Sequence, residues 1–356
     1  MPTADGAGDP SGGGDPLAAI DDALRALGRE LAPALRCGPY LLAHHIASGG
    51  VGDIFAATRE GDDGEVRHAV KLMRAGPEAT ETLARFERER NLLRSLAHPA
   101  VVEVTDDGAL DDGRLWFAMP LIDGGSITTE CDERRADLGT RLALFAQVCS
   151  AVDAVHRAGV VHRDLKPCNI LVEARGGALA PHIVDFGIAR ALLSPHARMT
   201  PVDVAHRLGT PEYMSPEHWE FGVGACDARS DVFALGVVLG ALCAGVVPRQ
   251  VAADGDRDST ASPALPAASD AGTARRPRRA RPGAICAPSA ALRELASRDA
   301  SAARAIATAR ALAGAAELAK VLQHRVDRIV LRACASEPSH RHESAAALGV
   351  EVRAAL

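Results

Sequence analysis

One stretch constrains this chain more than any other: residues 162–171, His-Arg-Asp-Leu-Lys-Pro-Cys-Asn-Ile-Leu. It places a carboxylate (Asp164), a cation (Lys166) and a carboxamide (Asn169) in one short polar loop, backed by apolar Ile170 and Leu171. Those groups suit phosphoryl transfer. Asp164 can orient a hydroxyl and take its proton, Lys166 can neutralise charge on the moving group, and Asn169 can offer an oxygen to Mg²⁺. The plain alternative is a polar loop that happens to be charged.

The string resembles the catalytic loop of eukaryotic-type protein kinases at His162, Arg163, Asp164, Leu165, Lys166, Pro167, Asn169 and the two apolar positions. Other blocks of that family follow in order. Two short strand signals flank Ile46-Ala47-Ser48-Gly49-Gly50-Val51-Gly52-Asp53-Ile54. Glycines there let backbone N–H groups approach phosphates with no Cβ in the way. The run is similar to the G-x-G-x-x-G-x-V loop, with Gly49 and Gly52 at the second and third glycines, Ile54 at the valine and Ala47 in place of the first glycine. His68-Ala69-Val70-Lys71 stands where V-A-I-K would. The stretch 80–96 has helical spacing, and by resemblance its Glu89 pairs with Lys71 and holds the lysine on the nucleotide phosphates; Glu87, on another helix face, is the competing carboxylate. Resemblance also makes Met119 the guard of the adenine pocket and Pro120–Ile122 the hinge, read through the Pro120 carbonyl and the Ile122 N–H. By the same resemblance, Ile54, Ala69 and Leu171 would sandwich the adenine and complete one packed column, while His162, Phe186, Leu93 and Val104 would form the other.

Asp185-Phe186-Gly187, 21 residues after Asp164, matches the family's D-F-G triplet, and Asp185 with Asn169 would chelate Mg²⁺. Gly209–Glu217 is similar to the bacterial G-T-P-x-Y-M-S-P-E form, a peptide-docking segment. Asp227-Ala-Arg-Ser-Asp231 opens an apolar helix, Phe233–Leu242, resembling the one whose aspartate ties the catalytic loop to the core. Arg341 matches a late arginine that pairs with Glu217. Taken together, residues 38–356 resemble bacterial serine/threonine kinases, and Lys166 favours serine or threonine over tyrosine as acceptor.

The resemblance implies an α+β, bilobal protein-kinase-like fold. Its parts are a small antiparallel sheet with a C-helix (38–120), a larger helical lobe (121–356), and ATP with Mg²⁺ in the cleft. Two rivals stay in view: a pseudokinase scaffold, whose usual mark is loss of Lys71, Asp164 or Asp185, and a small-molecule phosphotransferase, which would lack the docking segment. All three residues and the docking segment are present.

Composition narrows the partners. Aromatic residues are only 3% and the net charge is −6, so few ring surfaces remain for base stacking and nucleic acid is not expected. The eight cysteines show no C-x-x-C pair, which predicts reduced thiols in the cytoplasm. The longest apolar run, Phe233–Val247, is 15 residues, short of the ~20 needed to span a bilayer, so no membrane partner is expected.

Outside these blocks, residues 1–15 read as disordered. Leu17, Ile20, Leu24, Leu27 and Leu31 predict an amphipathic helix over 16–35, packed on the small lobe or paired with a partner. Residues 248–285, rich in Pro, Ala, Asp and Arg, read as a flexible insertion, with Arg275–Arg281 as an alternative docking site for an acidic partner. Arg163, beside the catalytic aspartate, is expected to meet a phosphate on the loop 188–208, with Thr200 the first candidate and self-association serving trans-autophosphorylation.

Overall fold

The structure, a computed structural model, describes residues 36–49, 52–73, 98–185, 211–249 and 284–356. The expected N-terminal helix, Gly50, Val51, Glu89, Leu93, Phe186, the loop carrying Thr200 and most of the insertion lie outside these residues. The chain divides into two compact units.

In unit 1 the described residues form a six-stranded antiparallel sheet. Its strands are β1 (Arg36–Cys37), β2 (Tyr40–Ser48), β3 (Gly52–Arg59), β4 (His68–Met73), β5 (Asp106–Ala109) and β6 (Leu115–Pro120), in the order β1-β2-β3-β4-β6-β5. Alternation along β2 buries Tyr40 and Leu42, which join Val70, Leu72 and Trp116 in one apolar layer. Gly38 (φ +55°) and Gly108 make room for the Trp116 ring, since a Cβ on either would run into it. Gly52 is demanded by the sheet itself, because a Cβ there would collide with the Leu72 carbonyl on β4.

Unit 2 contains a small antiparallel sheet of β7 (Gly124–Ser126), β8 (Ile170–Arg175) and β9 (Ala178–Ile183). Among its described residues the helices are α1 (Ile127–Glu133), α2 (Leu138–Arg157), α3 (Pro216–Phe221), α4 (Ala228–Ala244), α5 (Pro288–Arg298), α6 (Ala300–Thr308), α7 (Ala315–Arg325), α8 (Asp327–Ala333) and α9 (Ala345–Ala354). The apolar run near residue 233 is α4, buried on all sides from Ser230 to Ala244. It starts at an Asp227–Ser230 capping box and stops at Gly245, which takes the left-handed conformation (φ +70°). Two fully buried arginines tie its end to the neighbouring helices: Arg141 and Arg310 both donate to the Leu242 carbonyl, at 3.1 and 2.9 Å.

Three expectations shift. Residues 98–104, assigned to the small lobe by sequence, belong to unit 2, where Ile183 N–H donates to the Ala100 carbonyl at 2.8 Å and Val102 N–H to the Ile183 carbonyl at 3.1 Å. The ends of the expected flexible insertion are paired rather than loose, because Arg249 and Ile285 form an antiparallel bridge. And α2, not the run in α4, is the one described helix long and apolar enough to cross a membrane, though 61% of its apolar window is buried inside the protein.

Candidate active site

The loop 162–171 is held from below by a single buried carboxylate. Asp231, on the first turn of α4, accepts the backbone N–H of His162 at 2.7 Å and of Arg163 at 2.8 Å, and His156 at the end of α2 bonds it at 2.8 Å. Burial pushes this carboxyl up, but the His156 side chain, through its hydrogen bond and charge, and the His162 backbone N–H outweigh it and hold the group below the ordinary carboxylate range. His162 is also fully buried. Its Nε2 meets the Val184 carbonyl at 3.2 Å and its Nδ1 accepts the Asp164 N–H at 3.3 Å. Burial moves the His162 pKa down against the opposing charges of Asp231 and Asp164, so the ring is neutral at pH 7.

On this base the reactive groups converge. Lys166 Nζ lies 3.1 Å from Asp164 Oδ2, and Asn169 Nδ2 donates to the Asp164 carbonyl at 2.8 Å and to Oδ2 at 3.3 Å. Asp164 is therefore oriented by a cation and an amide of its own loop, while the backbone of residues 167–169 makes one 3₁₀ turn that leads directly into β8. Val184 N–H donates to the Asn169 carbonyl at 3.0 Å, which sets Asp185 beside the Asn169 turn. Asp185 and Arg163 both take positive φ (58° and 64°), a costly conformation for residues with a Cβ, held here by the surrounding hydrogen bonds. Asn169 and Asp185 carry oxygen donors of the hard kind that Mg²⁺ takes and would be the residues to hold it. Among the described residues there is no group of three or more His, Cys, Asp or Glu side chains that could hold a metal ion.

The segment Pro211–Glu217 is anchored by an ion pair. Arg341, nearly fully buried, donates to Glu217 through both guanidinium ends at 2.7 Å, and Ser230 Oγ donates to the same carboxylate at 2.7 Å. Burial pushes Glu217 up, but the Arg341 and Ser230 bonds prevail and bring its pKa to about 2. Ser215 caps α3, accepting the His218 N–H at 3.4 Å.

In unit 1, Lys71 is buried on β4, opposite Ile54 on one side and Phe117 on the other. Ala69 faces Met119 across the β4–β6 ladder, both buried, and Pro120 ends β6. Ala47 and Ile54 pair across β2 and β3, as do Ser48 and Asp53, and Gly49 N–H donates to the Gly52 carbonyl at 2.8 Å, closing the neck of the glycine-rich turn. Ile46 is the extra residue of a β-bulge and is exposed. In unit 2, Ile122 lies just before β7, accepting the Gly124 N–H at 3.1 Å, and Leu171 on β8 pairs with Ser126 and His182. Sequence reasoning passes over His156, at the end of α2, and Arg249, which falls within the expected insertion. Neither carries a local signal, because each gains its partner from a distant element.

The family model described as "Protein kinase domain" matches residues 40–275. Serine/threonine-protein kinase pkn3 of Myxococcus xanthus is 37% identical over 206 residues, covering 57% of this chain and 37% of its own length. PkaB of Streptomyces coelicolor, also named a serine/threonine-protein kinase, is 37% identical over 224 residues, 60% of this chain and 51% of its own. Serine/threonine-protein kinase pkn2 of Myxococcus xanthus is 33% identical over 213 residues, 59% of this chain and 25% of its own. The chain thus spans between a quarter and about half the length of these curated relatives.

Proposed function

The chain belongs to the protein kinase domain family, and from that premise we propose that it is a serine/threonine protein kinase, transferring the γ-phosphoryl group of Mg-ATP to serine and threonine hydroxyls of proteins. The observation that carries this reading is the Asp164–Lys166–Asn169 cluster, with contacts of 2.8–3.3 Å on a loop whose backbone is clamped by Asp231. A pseudokinase would have no need of an aspartate so oriented.

In this reading Asp164 orients the acceptor hydroxyl and takes its proton, and Lys166 offsets charge on the transferred group. Lys71, with Glu89 as its proposed partner, steadies the nucleotide phosphates. The glycine-rich residues 46–54 cradle them through backbone N–H groups, and Ala69, Met119, Pro120, Ile122 and Leu171 receive the adenine. Asn169 and Asp185 hold Mg²⁺, which when bound neutralises phosphate charge. Cytoplasmic location, unidentified protein substrates and self-association for autophosphorylation belong to the same proposal.

The test is incubation of the wild-type chain and Asp164→Asn with γ-labelled Mg-ATP, followed by a search for label on the protein itself and on a basic substrate protein. Label in the wild type and none in the variant supports the reading. Nucleotide binding without any transfer by the wild type would favour the scaffold alternative.

A further inference from the structure

The root of the insertion is tied to the docking segment. Arg249 pairs with Ile285, and Cys286 N–H donates to the Pro248 carbonyl at 3.0 Å, so residues 248–249 and 285–286 lie side by side. The Arg249 side chain donates from Nε to the Glu212 carbonyl at 2.6 Å and from Nη2 to the Met214 carbonyl at 3.1 Å. Its guanidinium carbon lies 5.9 Å from the centre of the Phe233 ring on α4, a ring also met by Arg341 at 5.1 Å.

The chemistry of the turn explains why an arginine is there. Residues Pro211–Tyr213 form a single 3₁₀ turn, with Met214 N–H donating to the Pro211 carbonyl at 3.2 Å. So short a turn offers its last carbonyls no helical donors, and the Met214 carbonyl, on a buried residue, needs a partner. A planar guanidinium serves two carbonyls at once with charge-assisted bonds, where lysine offers a single point charge.

We propose that Arg249 is a positioning residue for protein-substrate recognition, setting the conformation of the Pro211–Tyr213 turn through the carbonyls of Glu212 and Met214. The inference rests on the kinase reading, which makes 209–217 the surface against which the acceptor peptide lies. Arg249 touches no reacting atom. Its effect belongs in the affinity for protein substrate and not in the handling of ATP.

The test compares wild type, Arg249→Lys and Arg249→Met, the last keeping an apolar stem beside Phe233, with mixed histones as acceptor. Thermal melts and ADP titrations accompany the kinetics. Loss of charge-assisted bonds predicts a KM for histone raised roughly tenfold in Arg249→Met, a smaller rise in Arg249→Lys, and KM for ATP and ADP affinity within about twofold of wild type. An unchanged histone KM in an active Arg249→Met enzyme overturns the proposal and leaves the kinase reading intact. Equal shifts in both KM values with a lowered melt also overturn it, by showing a general structural role. A wild type that transfers no phosphate overturns the kinase reading and this inference with it. A further arm replaces 250–283 by a short Gly-Ser turn that keeps Arg249 opposite Ile285. Histone KM should stay at the wild-type value, and a tenfold rise would assign the effect to the insertion and overturn the role of Arg249.

Discussion

Asp231 Oδ1 accepts the backbone N–H of Arg163 at 2.8 Å across 68 residues of chain, while Oδ2 takes the N–H of His162 and the ring of His156. One buried carboxylate thereby fixes the backbone that carries Asp164. Replacing Asp231 with Ala leaves two buried N–H groups and an imidazole without their acceptor. Unfolding free energy should fall by about 2–4 kcal/mol, at roughly 1–3 kcal/mol per unsatisfied group with partial relaxation, as read from urea melts. Phosphoryl transfer should fall with it, and a variant as stable as wild type would refute the clamp.

Asp164→Asn and Asp185→Asn should separate chemistry from metal binding. The first is expected to lower turnover by ~10²–10⁴-fold, the usual contribution of a positioned base, with nucleotide affinity nearly intact. The second should abolish the Mg²⁺ dependence of nucleotide binding as well as transfer. Calorimetric titration of Mg-ATP into each protein distinguishes them.

The two glycines of the nucleotide loop should fail differently. At Gly52 an added methyl meets the Leu72 carbonyl, whereas at Gly49 its nearest neighbour is the Gly52 carbonyl at an ordinary 3.5 Å. Gly52→Ala is expected to destabilise unit 1 by about 1–3 kcal/mol, the range for overpacking. Gly49→Ala should leave the melt unchanged and appear only in nucleotide affinity.

Glu217 links stability to acid. Its folded pKa of about 2 lies below its ordinary 4.5, so the Arg341 pair contributes fully above pH 4.5 and is lost as pH falls toward 2. The shift corresponds to about 3 kcal/mol. The stability gap between wild type and Glu217→Gln should therefore shrink across that window, measured by denaturant titration at successive pH values. A gap that stays constant down to pH 2 contradicts the pairing.

Thr200 lies outside the described residues, and the role proposed for it rests on the charge of Arg163 beside Asp164. Thr200→Ala should show low activity, and phosphatase-treated wild type should show a lag before full velocity while it rephosphorylates. Full initial velocity without a lag would leave Arg163 a packing role only.

Much of the chemistry was legible in local spacing. Asp164, Lys166 and Asn169 lie within six residues, and their mutual contacts need little more than one 3₁₀ turn, so composition and spacing already announce them. The apolar run of α4 and the alternation of β2 are likewise short-range patterns that burial of one face or of all faces imposes on a chain.

What the sequence left open is what distant segments settle. Asp227 and Asp231 open the same helix four residues apart, and nothing local says which of them holds the catalytic loop. In the folded chain Asp227 is spent capping α4, while Asp231, one turn on, faces inward toward His162 and Arg163. Gly52 reads as a phosphate-loop glycine, yet the Leu72 carbonyl from the neighbouring strand is what forbids a side chain there. Arg249 reads as the first charge of a polar insertion, and only packing against 212–214 gives it two carbonyls to bind. Hydrogen bonds to a buried carboxylate, or from a buried guanidinium, depend on which elements meet. That is decided by the burial of whole helices and sheets, not by the residues flanking the group in the chain.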